Sequence, residues 1–176
     1  FFLLKIRENP LPKNFLLLGI FLGLALMSKY AAIYFFVSFA FLFIFDTKIR
    51  KTLYANKAYF FYVLIIIILI VFPNIVWNYK NNWVTFHHTS DNANLSNKNL
   101  SLYRGLEFLI IQGAMVGPVL FLFFLFHLKK FKFDFINIYL LCFSIPIVLI
   151  VLVESVLVRS NANWAAVALI SLLIIF

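Results

Sequence analysis

Long apolar runs, separated by short basic segments, dominate this sequence and restrict it to one class of fold. Hydrophobic residues make up 65% of its 176 residues, and they fall in runs at residues 15–45, 58–77, 105–127, 135–153 and 163–176. A helix needs about 20 apolar residues to cross the roughly 30 Å core of a bilayer. The alternating pattern of membrane strands is absent from the sequence. We therefore predict an all-α, polytopic transmembrane bundle with about five or six membrane helices, forming one domain over residues 1–176.

The basic residues predict which helix ends face the cytoplasm, because Lys and Arg are enriched in cytoplasmic loops. They cluster at three places between or before the runs: Lys5, Arg7 and Lys13; Lys48, Arg50, Lys51 and Lys57; Lys129, Lys130 and Lys132. Residues 78–104 and 154–162 are then predicted to be outer loops. Because both flanks of run 15–45 are basic, that run must cross the membrane an even number of times or re-enter. Its polar midpoint, Ser28–Lys29, predicts a turn near the outer face.

Charge and cysteine content exclude several classes of protein. The formal net charge is +9, but the cations follow the topology and do not cluster into a groove, so we predict no nucleic-acid partner. The single cysteine, Cys142, excludes an intrachain disulfide and a cysteine-based metal site. His87, His88 and Asp91 carry atoms that suit a metal ion. Adjacent histidines point in divergent directions, so we predict no metal or other cofactor, with a divalent cation as the alternative.

Lys29 and Arg159 are the two cations that the topology does not explain. An ionisable residue inside an apolar run is costly and therefore suggests a function. Arg159, in the shorter outer loop, lies close in sequence to Asn163 and Trp164. These residues have the chemistry to bind a phosphate or pyrophosphate, with Arg as a planar fork and Lys as a point charge. The alternative is that both cations snorkel to the membrane interface.

The aromatic residues allow two interpretations, and the glycine pairs suggest one. Trp77, Tyr79 and Trp83 suit the membrane interface, where an amphipathic ring keeps one edge in water; the functional alternative is stacking on a sugar ring. The pairs Gly19/Gly23 and Gly113/Gly117 have the spacing that lets membrane helices approach closely, which predicts helix packing.

The segment around Lys29 resembles a known family. Residues 23–30 read GLALMSKY, similar to the GLALLSKY segment of bacterial membrane glycosyltransferases of family 39. These are related to dolichyl-phosphate-mannose protein mannosyltransferases and lipid A aminoarabinose transferases. Further similar segments follow in order: Trp77-Asn78, residues 83–89, residues 106–108 with Gln112, Gly117-Pro118, and residues 159–164. Two positions depart from the family pattern: Asn161 replaces a usual His, and Val167 replaces a usual Pro.

The resemblance implies a GT-C-like enzyme in the bacterial inner membrane. Such enzymes transfer a sugar from a polyprenyl-phosphate carrier to a lipid, glycan or protein acceptor at the outer face. By position, Lys29 becomes a candidate contact of the donor phosphate. Arg159, Asn163 and Trp164 become candidate cavity residues, and His87 and His88 further candidates for substrate binding. The family's catalytic Asp lies upstream of the SKY segment, so we expect this chain to be an internal fragment without the general base.

Two other functions stay open. A transporter or flippase for a lipid-linked or anionic substrate would need inverted repeats and broken helices around a midplane site. Ser28–Lys29 is one candidate broken element, and the sequence shows no matching second one. A non-catalytic scaffold in the membrane is the third possibility.

Overall fold

The computed structural model describes residues 1–92, 100–117, 122, 126, 132, 134–158 and 161–175. These residues contain helices and turns but no β-strand, which confirms the all-α prediction. In chain order the helices are α1 (Phe2–Glu8), α2 (Pro12–Ser28), a 3₁₀ helix (Tyr30–Ile33), α3 (Tyr34–Phe45), α4 (Thr47–Ala55), α5 (Lys57–Lys80), α6 (Val84–Asn92), α7 (Leu102–Val116), α8 (Phe135–Cys142), α9 (Ile145–Leu157), a second 3₁₀ helix (Ala162–Ala165) and α10 (Ala166–Ile174). They form two compact units, Phe1–Phe36 with Leu42–Thr85 and Val37–Phe41 with Phe86–Phe176.

In the first unit, α2 packs along α5, and the two helices run in the same direction. The rings of Phe15 and Tyr59 lie 5.7 Å apart near the starts of the helices. A Cβ atom added at Gly19 would lie 3.1 Å from the Cβ of Ile66, and one at Gly23 would lie 2.9 Å from the Cβ of Ile70. The close approach that the Gly19/Gly23 spacing predicts is therefore present, and the contact is with α5.

Because α2 and α5 are parallel, the chain must run back toward the start of α2 before α5 begins. Helix α3 makes this return. Polar contacts fix the C-terminal end of α3 and the residue that follows it. The Nε of Arg7 in α1 donates to the Oδ2 of Asp46, just after α3, at 2.5 Å. The Nη1 of Arg50 donates to the carbonyl oxygens of Phe43 and Ile44 at 3.2 and 3.0 Å. Both flanks of run 15–45 thus meet, as expected of a hairpin or re-entrant segment.

Helix α4 turns away from α3 at Asp46. The chain bends by 102° between Tyr30–Phe45 and Thr47–Ala55. Asp46 caps α4, because its Oδ1 accepts from the backbone N–H groups of Lys48 and Ile49 at 2.8 and 3.3 Å. Ile49 and Leu53 are buried, whereas Lys48 and Lys51 are exposed. This one-sided pattern is typical of a helix that lies in the membrane interface.

In the second unit, α7 packs against α9 in the opposite direction. The N–H of Ser101 donates to the carbonyl of Val156 at 2.9 Å. A Cβ atom at Gly105 would lie 2.7 Å from the Cγ2 of Val156, so this glycine, which belongs to neither of the two spaced glycine pairs, allows the close approach. Gly117 ends α7 with a φ of +94° and has no neighbour within 4 Å of an added Cβ. Among the described residues, no helix therefore packs on Gly117, and packing at the Gly113/Gly117 pair stays a prediction.

The predicted number of membrane helices was also too high for the part of the chain that the structure describes. By length and composition, two segments can cross a membrane, Lys57–Lys80 and Phe135–Leu157, or three if the bent pair around Asp46 is one span. Run 15–45 is divided at Lys29 into legs of 17 and 12 residues by α2 and α3. The last run forms only a short apolar helix, Asn163–Ile174. Of run 105–127, only residues 105–117, 122 and 126 are described.

Candidate functional site

The predicted interruption at Ser28–Lys29 is present, and it exposes the ammonium group of Lys29. Helix α2 ends at Ser28, and Lys29 adopts an extended backbone with φ −156° and ψ 126°. The N–H of Lys29 still donates to the carbonyl of Ala25 at 2.9 Å, and its carbonyl accepts from the N–H of Ala32 at 3.0 Å. The backbone is thus satisfied on both sides of the break, and the side chain is exposed. Lys29 thus places a cation between two apolar helices, where a charged group is costly unless it has a function.

A hydrogen-bond network fixes the residue next to Lys29 to α5. The hydroxyl of Tyr30 donates to the Oδ1 of Asn74 at 2.8 Å. The Nδ2 of Asn78, one turn further along α5, lies 3.4 Å from the Tyr30 oxygen, 3.1 Å from the Asn74 carbonyl and 3.2 Å from the Asn74 Oδ1. Since two of these partners are acceptors only, they orient the Asn78 amide with its nitrogen toward Tyr30. The position of the helix break therefore depends on two asparagines of α5.

Asn78 is an unusual residue to find inside an apolar packing interface. Its side chain is completely buried, with 0% exposure, and its Oδ1 has no hydrogen-bond partner. An unsatisfied buried acceptor costs on the order of 1–3 kcal/mol. Buried polar groups inside a membrane protein are expensive and tend to be functional. The cost is consistent with a network that is retained for its geometry and not for stability.

The end of α5 continues this arrangement into a tight turn. The N–H of Trp83 donates to the carbonyl of Asn78 at 2.8 Å. Asn82 and Trp83 both have positive φ, 53° and 56°. The ring of Trp83 meets that of Tyr79 edge to face, with centroids 6.5 Å apart. Asn78 thus contacts the Lys29 break through its side chain and the Trp83 turn through its backbone.

The other predicted site residues that are described lie in the second unit. His87 and His88 are exposed on α6, which occupies part of the segment predicted as a loop over 78–104. Among the described residues, no three His, Cys, Asp or Glu side chains form a group that could hold a metal ion. Asn163, exposed, and Trp164, half-buried, share the 3₁₀ helix Ala162–Ala165. Arg159 lies outside the described residues.

One family model matches the first part of the chain. Residues 1–77 match the family model described as dolichyl-phosphate-mannose-protein mannosyltransferase. That match includes α1 to α4 and most of α5, and with them Lys29, Tyr30 and Asn74. The predicted resemblance is confirmed.

A curated relative extends the similarity over most of the chain. Lipid A galacturonosyltransferase RgtD of Rhizobium johnstonii is 29% identical over 163 residues, which cover 89% of this chain and 33% of that protein. The chain thus spans about a third of the length of this relative. No solved structure matches the chain.

Proposed function

We propose that this chain is part of a membrane glycosyltransferase of the bacterial plasma membrane, with a GT-C-like fold. The enzyme moves a sugar from a polyprenyl-phosphate donor to a lipid, glycan or protein acceptor at the outer face. The observation that carries the proposal is the exposed Lys29 at a helix break, inside the region that matches the mannosyltransferase family. The name of the curated relative supports galacturonic acid and lipid A as the first donor sugar and acceptor to test.

The proposed chemistry needs a cation where Lys29 lies. An acceptor hydroxyl attacks the anomeric carbon of the donor sugar, and the bond from that carbon to the carrier phosphate breaks. The phosphate oxygen takes the electron pair and gains negative charge, while a general base takes the hydroxyl proton. A fixed ammonium group stabilises the departing phosphate in a medium of low dielectric constant. Lys29 suits this role because α2 and the 3₁₀ helix hold its backbone on both sides.

A transfer assay tests the proposal directly. The intact protein is reconstituted in liposomes with polyprenyl-phosphate-linked galacturonic acid and lipid A, and the modified lipid A is measured by mass spectrometry. Parallel reactions use polyprenyl-phosphate-linked mannose or aminoarabinose, and one set contains EDTA. We expect transfer from one of these donors, and no loss with the chelator, since we propose no metal cofactor.

Lys29 variants identify the phosphate contact in the same assay. Lys29→Ala should lose about ten- to 150-fold in donor kcat/KM, as expected for a hydrogen bond to a charged group of ~1.5–3 kcal/mol. Lys29→Arg should be impaired as well, because a planar fork does not replace a compact ammonium in a tight site. Lys80, also exposed and at the end of α5, provides the matched control Lys80→Ala. Equal activity of the Lys29 and Lys80 variants, or donor uptake without any product, would contradict the proposal.

A further inference from the structure

We propose that Trp83, together with Tyr79, forms the subsite that stacks on the sugar ring of the donor. This inference rests on the proposed function and deepens it, because it assigns residues to the sugar, whereas Lys29 is assigned to the phosphate. Both aromatic residues lie in the same compact unit as Lys29.

The first reason is the backbone at the turn. Asn82 and Trp83 are consecutive residues with φ of 53° and 56°. Asparagine tolerates positive φ, but for a bulky side chain such as Trp it is a genuine outlier. Strained backbone of this kind persists only where surrounding structure enforces it, and it concentrates at ligand-binding sites. Gly would relieve the strain at Trp83, so the presence of an indole there points to a use for the ring.

The second reason is the contact that enforces the strain. The N–H of Trp83 donates to the carbonyl of Asn78 at 2.8 Å. The side chain of the same Asn78 lies 3.4 Å from the hydroxyl of Tyr30, the neighbour of Lys29. One fully buried residue therefore fixes both the turn that carries the indole and the break that carries the ammonium. A donor with its sugar next to its phosphate needs these two contacts side by side.

The third reason is the exposure and relative orientation of the two rings. Trp83 is 40% exposed and Tyr79 is 72% exposed, and their rings are nearly perpendicular, at 80°. The Tyr79 ring therefore restrains the indole while leaving part of its surface accessible. Aromatic faces carry negative charge density, and the C–H groups on one face of a pyranose carry partial positive charge. The pair thus has the chemistry of a carbohydrate platform, with Tyr79 able to add a hydroxyl contact.

Trp77, three residues before the end of α5, provides the comparison for Trp83. It is 52% exposed, and its carbonyl accepts from the N–H of Asn81 at 3.0 Å, as in a regular helix end. An interfacial ring requires only this ordinary backbone. Trp77 and Trp83 are therefore matched in residue type and exposure but differ in backbone conformation, which makes Trp77 the control.

The test compares Trp83→Leu with Trp77→Leu in the reconstituted intact protein. For each variant we would measure the donor KM and the inhibition constant of polyprenyl phosphate without sugar. Trp83→Leu should raise the donor KM by about 3- to 10-fold, the range of a ring-stacking contact, and leave the inhibition constant unchanged. Trp77→Leu should change neither. Lys29→Ala should weaken binding of both lipids, because both carry the phosphate.

Each other outcome has a distinct meaning. If both Trp variants behave alike, the rings are interfacial anchors and the inference is wrong. If Trp83→Leu weakens the sugar-free lipid as much as the donor, the indole contacts the carrier and not the sugar, which also overturns it. If the unmodified protein transfers none of the sugars, the proposed function itself fails. If Trp83→Leu does not accumulate in the membrane, Trp83→Tyr takes its place in the test. Because the tyrosine ring is smaller, the inference then requires an increased donor KM for this variant.

Discussion

The hydroxyl of Tyr30 donates to the side-chain oxygen of Asn74 at 2.8 Å, across the interface between the α2 break and α5. This bond joins the residue after Lys29 to a helix long enough to span a membrane. Without this bond, the extended backbone at Lys29 would move with the solvent-exposed end of α2. We infer that Tyr30 is a positioning residue, which acts on the proposed phosphate contact by fixing the backbone beside it.

Replacement of Tyr30 by Phe tests this role. Tyr30→Phe removes the hydroxyl but keeps the ring, so the free energy of unfolding should fall by only about 0.5–1.5 kcal/mol. If Tyr30 positions Lys29, the kcat of sugar transfer, measured at saturating donor, should also fall. The factor should be larger than the loss of folded protein from this destabilisation explains. Tyr62→Phe is the control, since Tyr62 is an exposed tyrosine of α5, the helix that Tyr30 contacts. A Tyr30→Phe enzyme with normal kcat would show that the network is only structural.

The parallel packing of α2 on α5 predicts an order of sensitivity for its two glycines. A Cβ at Gly23 would lie 2.9 Å from the Cβ of Ile70, an atom that cannot move without the backbone, whereas at Gly19 the nearest distance is 3.1 Å. Overpacking of this kind costs roughly 1–3 kcal/mol. We therefore expect Gly23→Ala to lower the thermal unfolding temperature in detergent more than Gly19→Ala. The reverse order, or no effect from either, would argue against this register.

Asp46 has two separable roles, and two substitutions distinguish them. Its Oδ2 accepts from the Arg7 guanidinium and its Oδ1 caps α4. Asp46→Asn keeps a capping oxygen but removes the charge, which should cost ~1.5–3 kcal/mol for a charged hydrogen bond. Asp46→Ala removes both contacts, and the lost cap adds about 0.5–2 kcal/mol. Chemical unfolding of the two variants gives the comparison; equal stabilities would mean that the cap contributes nothing.

The features that follow from single residues were predictable from the sequence. The break at Ser28–Lys29 was predicted because a lysine is costly in an apolar run, and the close approach at Gly19 and Gly23 because small residues permit it. The return of the chain between Arg7 and Asp46 followed from the basic residues on both flanks. These rules act locally, and one sequence is enough to apply them.

The features that depend on partners across the fold were missed. Asn74 and Asn78 stand four residues apart at the end of the second apolar run, and this spacing, which places both on one face of a helix, was the signal available. Nothing in the sequence reveals that Tyr30 is their partner. The helix α6 was read as part of a loop because its residues are polar. The number of spans was too high for the described residues, because run length does not show that Lys29 divides run 15–45 into two short legs.

The predicted topology can be tested with introduced cysteines in a Cys142→Ser background. Because α2 and α5 are parallel, Ser28 and Asn82 should lie on the same side of the membrane, and Lys51 on α4 on the opposite side. An impermeant thiol reagent applied to intact cells should label cysteines at 28 and 82, and label position 51 only after permeabilisation. Labelling of position 51 from outside would reverse the assignment that the basic residues predict.

The general base of the proposed reaction is expected outside this chain, and the carboxylates of the chain can be tested one by one. Asp46 is engaged with Arg7 and α4, and the Oδ1 of Asp134 caps α8 by accepting from the N–H of Asn137 at 2.9 Å. Of the carboxylates in the predicted outer loop, Asp91 is exposed on α6. A base must reach the acceptor hydroxyl within hydrogen-bond distance, so its loss removes turnover and not donor binding.

We therefore expect Asp91→Asn to keep most of its kcat, within about threefold, since the exposed Asp91 is not the expected general base. Glu107→Gln, at an exposed position of α7, is the matched comparison. Both variants should bind the donor normally and transfer the sugar at near-normal rates in the reconstituted assay. A loss of kcat by more than a hundredfold in Asp91→Asn, with unchanged donor binding and a normal Glu107→Gln enzyme, would place the base on α6. It would then overturn the expectation that the base is supplied by residues outside this chain, because loss of general-base catalysis costs about 10²–10⁴ in rate.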